Sequence, residues 1–209
     1  MAEEKQADPA FAPIAVIVLA AGRSTRMGGA NKLLCEIAGS PMVRHVAVSA
    51  LGSAAHPVLV VTGHQEQEVR AALAGLAVTF IANPDYASGL MSSLKAGIAA
   101  LPPNIRGALV ALGDMPMLRS ADFDRLIEAF MAAEEKAIVV PVYAGRRGNP
   151  VLWPAAYFAK IRELQGDTGA RQLFASHAEA IREVPLDAPA VLEDIDTPEA
   201  LARLRDRLA

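Results

Sequence analysis

"IAVIVLAAGRSTRMGGANKLL" occupies residues 14–34 and joins two stretches of opposite character. Residues 14–21 are apolar, rich in β-branched side chains and free of alternation. That is the pattern of a short strand covered on both faces. The next residues interleave Gly22, Gly28 and Gly29 with Arg23, Arg26 and Lys32. Glycine lets backbone N–H groups converge on an anion, and Arg and Lys add full charges. In open α/β sheets ligands bind beyond the carboxyl ends of the strands. A polyphosphate is therefore the natural ligand here; the alternative is a solvated loop whose cations face water. The stretch is not a Walker A loop, because no Gly-Lys-Ser/Thr follows Gly28 and Gly29. Nor is it G-x-G-x-x-G, because five residues separate Gly22 from the next glycine.

Outward from this stretch, strands and helices alternate. Apolar runs at Pro57–Thr62, Ala77–Ala82, Gly107–Leu112 and Lys136–Val142 read as strands, and Leu33–Ile37 as a shorter one. Helical patterns cover Pro41–Leu51, Gln65–Leu73, Ser92–Ala100 and Ala121–Ala133, with Ser40 as N-cap and Pro41 at the first helical position. Such alternation implies a mainly parallel sheet with helices on both faces. After Val142 the rhythm changes. "YAGRRGNPVLW" (143–153) reads as a turn between two extended pieces, and "GDTGARQLF" (166–174) as a glycine-rich loop feeding a short helix. The last helix starts cleanly, with Thr197 as N-cap and Pro198 at N1. Residues 1–12 read as a flexible N-terminal arm, and 13–209 as a single domain.

The chain has 209 residues, is 53% hydrophobic and 21% charged, and carries a net charge of −3. The acidic balance argues against nonspecific nucleic-acid binding, so the cations of the opening stretch have a local purpose. The single cysteine, Cys35, cannot form an internal disulfide and reads as a small buried hydrophobe. His45, His56, His64 and His177 make no zinc-ligand spacing. Ser24 lacks the second glycine of a nucleophile elbow. The first apolar run is far shorter than the roughly 20 residues of a membrane helix, and no secretory signal is evident, so a cytoplasmic location is the default.

Three more segments carry candidate chemistry. In "VALGDMP" (110–116), Asp114 stands where a strand ends. It could hold Mg²⁺ against a phosphate or simply cap a turn. In "DIDTPEA" (194–200), Asp194 and Asp196 share one side of an extended segment. Spacing leaves open which of them, if either, completes a metal site with Asp114. In "NPDYASGLMSSLKAG" (83–97), Gly89 and two serines either read a nucleoside or form a polar start to a helix.

Taken in order, "LAAGRSTRMGGANKLL", "GLMSSLKAGI", "ALGDMP", "GRRGNPVLW", "GDTGARQLF" and "DIDTPEAL" resemble the blocks of the molybdenum cofactor nucleotidyltransferases, over nearly all of residues 14–204. The later blocks are similar to the cytidylyltransferase branch of that MobA-like NTP transferase family. The resemblance implies a three-layer α/β/α Rossmann-like nucleotidyltransferase fold with a mainly parallel mixed sheet. It implies transfer of CMP from CTP to the terminal phosphate of molybdopterin, with Mg²⁺ as cofactor and a molybdenum hydroxylase as candidate client. Carried over by residue, it puts Leu19, Ala20, Ala21 and Gly22 on the nucleotide through backbone, Arg26 and Lys32 on its phosphates, and Ser93 on the base or ribose side. Asp114 and Asp196 would hold Mg²⁺, and Lys32, Arg26 and Asp114 would carry catalysis. Arg147, Asn149, Gly166, Asp167, Thr168 and Arg171 would face the acceptor. Ala21 stands where guanylyltransferase relatives tend to have glycine, and its methyl would crowd a purine. Asn149 departs from the histidine common in this branch. Lys32 itself reads as an exposed loop lysine that contributes little to folding. The competing readings are a relative using GTP or another phosphorylated acceptor, a nicotinamide-dependent oxidoreductase, and a noncatalytic cofactor-binding factor.

Overall fold

Ile14–Ala20 forms β1, buried along its whole length. The computed structural model describes residues 13–25, 31–164 and 169–208. The N-terminal arm, Arg26, Gly166, Asp167 and Thr168 lie outside the described residues, and so does the side chain of Arg171. β1 pairs in parallel with Val58–Thr62 (β4) on one side and Gly107–Leu112 (β6) on the other, with Ala20 opposite Thr62 and Leu19 opposite Leu112. The carboxyl ends of these three strands therefore stop level with one another, and the segments after them converge.

The remaining elements are Glu36–Ile37 (β2), Ser40–Pro41 (β3), Met42–Leu51 (α1), Glu66–Ala72 (α2), Thr79–Ala82 (β5), Leu90–Ala99 (α3), Ser120–Ala132 (α4), Ile138–Tyr143 (β7), Arg146–Arg147 (β8), Val151–Pro154 (β9), Phe158–Glu163 (α5), Gly169–Ser176 (α6), Ile181–Pro185 (β10) and Pro198–Leu208 (α7). The main sheet runs β10-β7-β9-β6-β1-β4-β5, with β8 paired to β7. β9 runs antiparallel to both β6 and β7, and the other strands of that path pair in parallel.

Alternation along β1 builds two cores. Val16, Val18 and Ala20 face a cluster with α1 and α4 that contains the fully buried Phe123 and Phe130. Ile17 and Leu19 face a second cluster with Met91, Leu94 and Ile98 of α3 and Ile161 of α5. Each large side chain so buried stabilises the fold by roughly 1.5–3 kcal/mol. A Cβ at Gly97 would stand 2.5 Å from the Ile17 side chain, so glycine is what lets α3 lie close on β1. That close approach brings Ser93 to the strand ends.

Four expectations need correction. Lys32–Leu34 is a single 3-10 turn, and only Glu36–Ile37 is extended there, because Asn31 accepts the Leu33 N–H with its side chain and starts the turn. Ser40 lies in β3 and caps nothing; Pro41 is the N-cap of α1, without a side-chain hydrogen bond. α3 begins at Leu90 rather than Ser92, because Gly89 takes φ +113°, a conformation open to glycine, and turns the chain early. Cys35 is half-buried rather than buried. The edge strand β10 is absent from the sequence reading. Among the described residues, no helix is long and apolar enough to cross a membrane.

Candidate active site

Beyond the ends of β1 and β6 lies an open cavity of about 380 Å³. Leu19, Ala21, Gly22 and Ser24 form one wall, Tyr86, Leu90 and Ser93 another, and Lys32, Asp114, Asp194 and Asp196 the floor. Gly113 donates its N–H to Leu19 O (3.0 Å), and His64 donates to Ala21 O (3.2 Å), so the segments after β6 and β4 are tied to the first. Ala20 does not line the cavity; it packs in the core on the opposite face of the sheet. Among the described residues, an added Cβ at Gly22 would meet nothing within 4 Å, and its φ is not in the left-handed range, so neither packing nor conformation requires glycine there.

Ser24 ties the residues after β1 to Asn31 and Lys32. In left-handed conformation (φ +51°), Ser24 accepts the Lys32 N–H on Oγ (3.1 Å) and donates to Asn31 Oδ1 (3.4 Å). Its hydroxyl is therefore committed to holding the backbone from which Lys32 projects.

Lys32 Nζ donates to Asp114 Oδ2 and to Asp196 Oδ1, partners 82 and 164 residues away in sequence. The three side chains are only 14%, 12% and 22% exposed, so Lys32 is not the exposed loop lysine that the sequence suggests. Burial pulls the ammonium pKa down, but attraction to Asp114 and hydrogen bonds to both carboxylates more than reverse it, and the group lies above its ordinary 10.5. Asp194 completes the cluster. Burial raises its pKa above its ordinary 3.8, against a hydrogen bond from its own backbone, and the charges of Asp196 and Asp114 push the same way as burial. Ile195 fixes this pair. Its N–H donates to Asp114 O (3.0 Å), and its side chain is buried with Met42, Leu201 and Leu204 in a third cluster. Asp194 and Asp196 consequently turn toward the cavity while Ile195 turns away.

Asp114, Asp194 and Asp196 each offer a carboxylate oxygen, all within 4.8 Å of one another. Asp114 Oδ1 is buried with no hydrogen-bond partner among the described residues. An all-oxygen, three-carboxylate set suits a hard divalent cation, and the unpartnered oxygen is what such an ion would satisfy. The donor set therefore fits Mg²⁺ or Mn²⁺.

The other sequence candidates fall as follows. Ser93 is buried and faces the cavity, with Oγ accepting from Asn83 Nδ2 (3.0 Å). Arg147 donates through Nε to Glu183 Oε1 of β10 (2.7 Å), at the surface. Asn149 donates its backbone N–H to Val191 O (2.9 Å). Neither residue lines the cavity among the described residues. Tyr86 and Leu90 also line it; they lie in the 83–97 segment that the sequence flags, but there Gly89 and the two serines drew the reading and these two were not singled out.

A family model described as MobA-like NTP transferase domain matches residues 16–181. The chain is 36% identical over 177 residues to the bifunctional protein GlmU of Kineococcus radiotolerans, covering 82% of this chain and 35% of that protein. It thus spans about a third of the length of that relative. It is 29% identical over 208 residues to a protein of Natronomonas pharaonis named "Probable molybdenum cofactor guanylyltransferase", covering 92% of this chain and 97% of that one. Among solved structures, Rv0371c of Mycobacterium tuberculosis H37Rv superposes with a TM-score of 0.79 at 28% identity, over 93% of this chain and 97% of that one. A structure of Rv0371c in complex with manganese superposes at 0.75, with 26% identity, over 93% and 98%. The mixed, mostly parallel sheet flanked by helices is the nucleotidyltransferase fold. Sheet, strand-end cavity and matched residues lead to one placement: the chain belongs to the MobA-like NTP transferase domain family.

Proposed function

We propose that this protein transfers CMP from CTP to the terminal phosphate of a molybdopterin-type acceptor and releases pyrophosphate. The observation that carries the reading is the meeting of Lys32 with Asp114 and Asp196 beside a glycine turn, in the cavity that Ser93 also faces. The acceptor phosphate oxygen attacks the α-phosphorus, a P–O bond forms, and the bond to the pyrophosphate breaks with its electron pair. The attacking oxygen is already an anion near neutral pH, so no side chain need deprotonate it.

The residues' work is then to bind, orient and balance charge. Asp114, Asp194 and Asp196 would hold the divalent ion. When bound, Mg²⁺ draws electron density from the α-phosphate and helps place both reactants. Lys32, together with Arg26 and the N–H groups of the turn, would neutralise charge on the leaving pyrophosphate. Ser93, oriented by Asn83, would meet the ribose or base. Leu19, Ala21 and Gly22 would contact the nucleotide through backbone, whereas the fully buried Ala20 is not proposed to, and Arg147, Asn149, Gly166, Asp167, Thr168 and Arg171 remain the proposed acceptor side.

Ala21 supports the choice of CTP. Ala21 is buried in the cavity wall beside the segment that holds Gly63 and Tyr86, and its methyl would narrow the room for a purine. One observation favours a second reading with GTP: the Natronomonas relative matched over nearly its full length is named a guanylyltransferase. A pyrophosphate-release screen decides between them, with CTP, GTP, ATP and UTP, with and without molybdenum cofactor and Mg²⁺. Release that needs CTP, acceptor and Mg²⁺ together is expected. Release with GTP alone among the nucleotides would move the assignment to guanylyl transfer. No release with any nucleotide would overturn it.

A further inference from the structure

Lys32 stands where the cation of the proposed reaction has to enter. Its ammonium hydrogen-bonds one oxygen of Asp114 and one of Asp196, two of the three carboxylates that could share a metal ion. Mg²⁺ demands near-ideal octahedral oxygens at about 2.0–2.1 Å, and an ammonium already bonded to those oxygens competes with it. The remaining oxygen of Asp114 stays buried with no partner among the described residues, so the ammonium satisfies the cluster only in part. Without a cation, three carboxylates within 4.8 Å of one another would repel.

We propose that Lys32 is the resident counter-ion of this carboxylate cluster, and that a divalent cation must displace its ammonium from Asp114 or Asp196 to bind. The inference rests on the metal-dependent reading above and deepens it. The backbone of Lys32 is pinned by the Ser24 hydroxyl, whereas the four-carbon stem is flexible and its three donors rotate freely. The head can therefore leave the carboxylates while the Lys32 backbone keeps its hydrogen bond to Ser24. Once released, it is a cation facing the cavity in which the triphosphate would lie. Exchange of one cation for another also keeps the cluster from standing at full negative charge before the metal arrives.

The test is Mn²⁺ binding to the full chain without nucleotide, read by electron paramagnetic resonance, for the wild type, Lys32→Met and Lys32→Arg. Removal of the competing charge in Lys32→Met is expected to tighten Mn²⁺ at least about fivefold, the lower edge of ordinary site coupling. Lys32→Arg keeps the charge and should stay within about twofold of the wild type, against that same coupling scale. Equal or weaker Mn²⁺ binding by folded Lys32→Met would overturn the proposal. Should Lys32→Met fail to fold, the wild type alone decides through the Lys32 Nζ nuclear magnetic resonance signal during a Mg²⁺ titration. A signal that moves with metal occupancy supports displacement; one that stays fixed while Mg²⁺ binds contradicts it. These results are separable from the function itself. A failed pyrophosphate screen would remove the nucleotidyl-transfer reading and leave the metal titration standing, and the reverse also holds.

Discussion

Glu193 and Asp196 lie within four consecutive residues, and each meets a cation, but the two ion pairs differ in kind. Glu193 turns outward and accepts two hydrogen bonds from Arg207 of α7, both 2.9 Å, where the two side chains are 31% and 51% exposed. Asp196 turns inward and takes Lys32 in a cavity shared with Asp114. An exposed pair contributes about 0–1 kcal/mol, whereas removing one member of a buried pair costs about 3–5 kcal/mol, because a charge is left without a partner. Pairing alone thus says little about function. What marks the inner cluster is partial burial, a third carboxylate and an Asp114 oxygen with no partner among the described residues.

The sharpest way to break this contrast is Asp114→Asn. It keeps the shape and removes the charge around which the inner cluster is organised. Pyrophosphate release is expected to fall about 10²–10³-fold, the scale for losing one electrostatic contact in a transition state, with the circular dichroism spectrum unchanged. Activity near the wild-type rate would remove Asp114 from the reaction.

Next in size is Gly148→Ala. A Cβ there would stand 2.0 Å from Val191 O, so the segment that carries both Glu193 and Asp196 would have to shift. Overpacking of this kind costs about 1–3 kcal/mol, read as a lower midpoint in urea. Mn²⁺ affinity should fall with it, because the inner pair depends on placement more than the outer one does. Gly22→Ala is smaller and opposite in sign for stability. With nothing near the new methyl among the described residues and no positive φ to strain, it should stabilise by about 0.4–1 kcal/mol. If the turn binds nucleotide through its backbone, the same variant raises KM.

The smallest effects are on pH dependence, and the two pairs fail at opposite ends. The hydrogen bond from Arg207 holds the Glu193 carboxyl below its ordinary 4.5. Its contribution is present above that value and is lost as pH falls through the lowered folded pKa. Glu193→Gln should flatten the acid limb of a stability curve there and change stability at neutral pH by less than about 1 kcal/mol. Lys32 has the reverse sign. Its folded pKa lies above 10.5, so its contribution is complete below 10.5 and is lost as pH climbs through the folded value. Melting curves at acid and alkaline pH, for wild type and Glu193→Gln, check both.

The same contrast explains what was legible in the sequence. Gly107–Leu112 was readable to the residue, because a strand buried on both faces needs an unbroken apolar run. β10 escaped notice because Arg182 and Glu183 of an edge strand face solvent, and they break the pattern by which strands are found. The Asp194–Asp196 spacing correctly suggested a shared face, since extended backbone alternates side chains. No local pattern could reveal that Lys32 lies between carboxylates 82 and 164 residues away. That contact depends on the level ends of β1 and β6 and on Ile195 N–H reaching Asp114 O.

The most direct test of the central claim, that these carboxylates hold a metal ion against the nucleotide's phosphates, is pulsed electron paramagnetic resonance on the protein-bound fraction with Mn²⁺ and CTP. Phosphorus hyperfine coupling to the bound Mn²⁺ is expected in the wild type and should be lost in Asp114→Asn. Mn²⁺ and CTP both bound to the wild type, with no phosphorus coupling between them, would contradict the account.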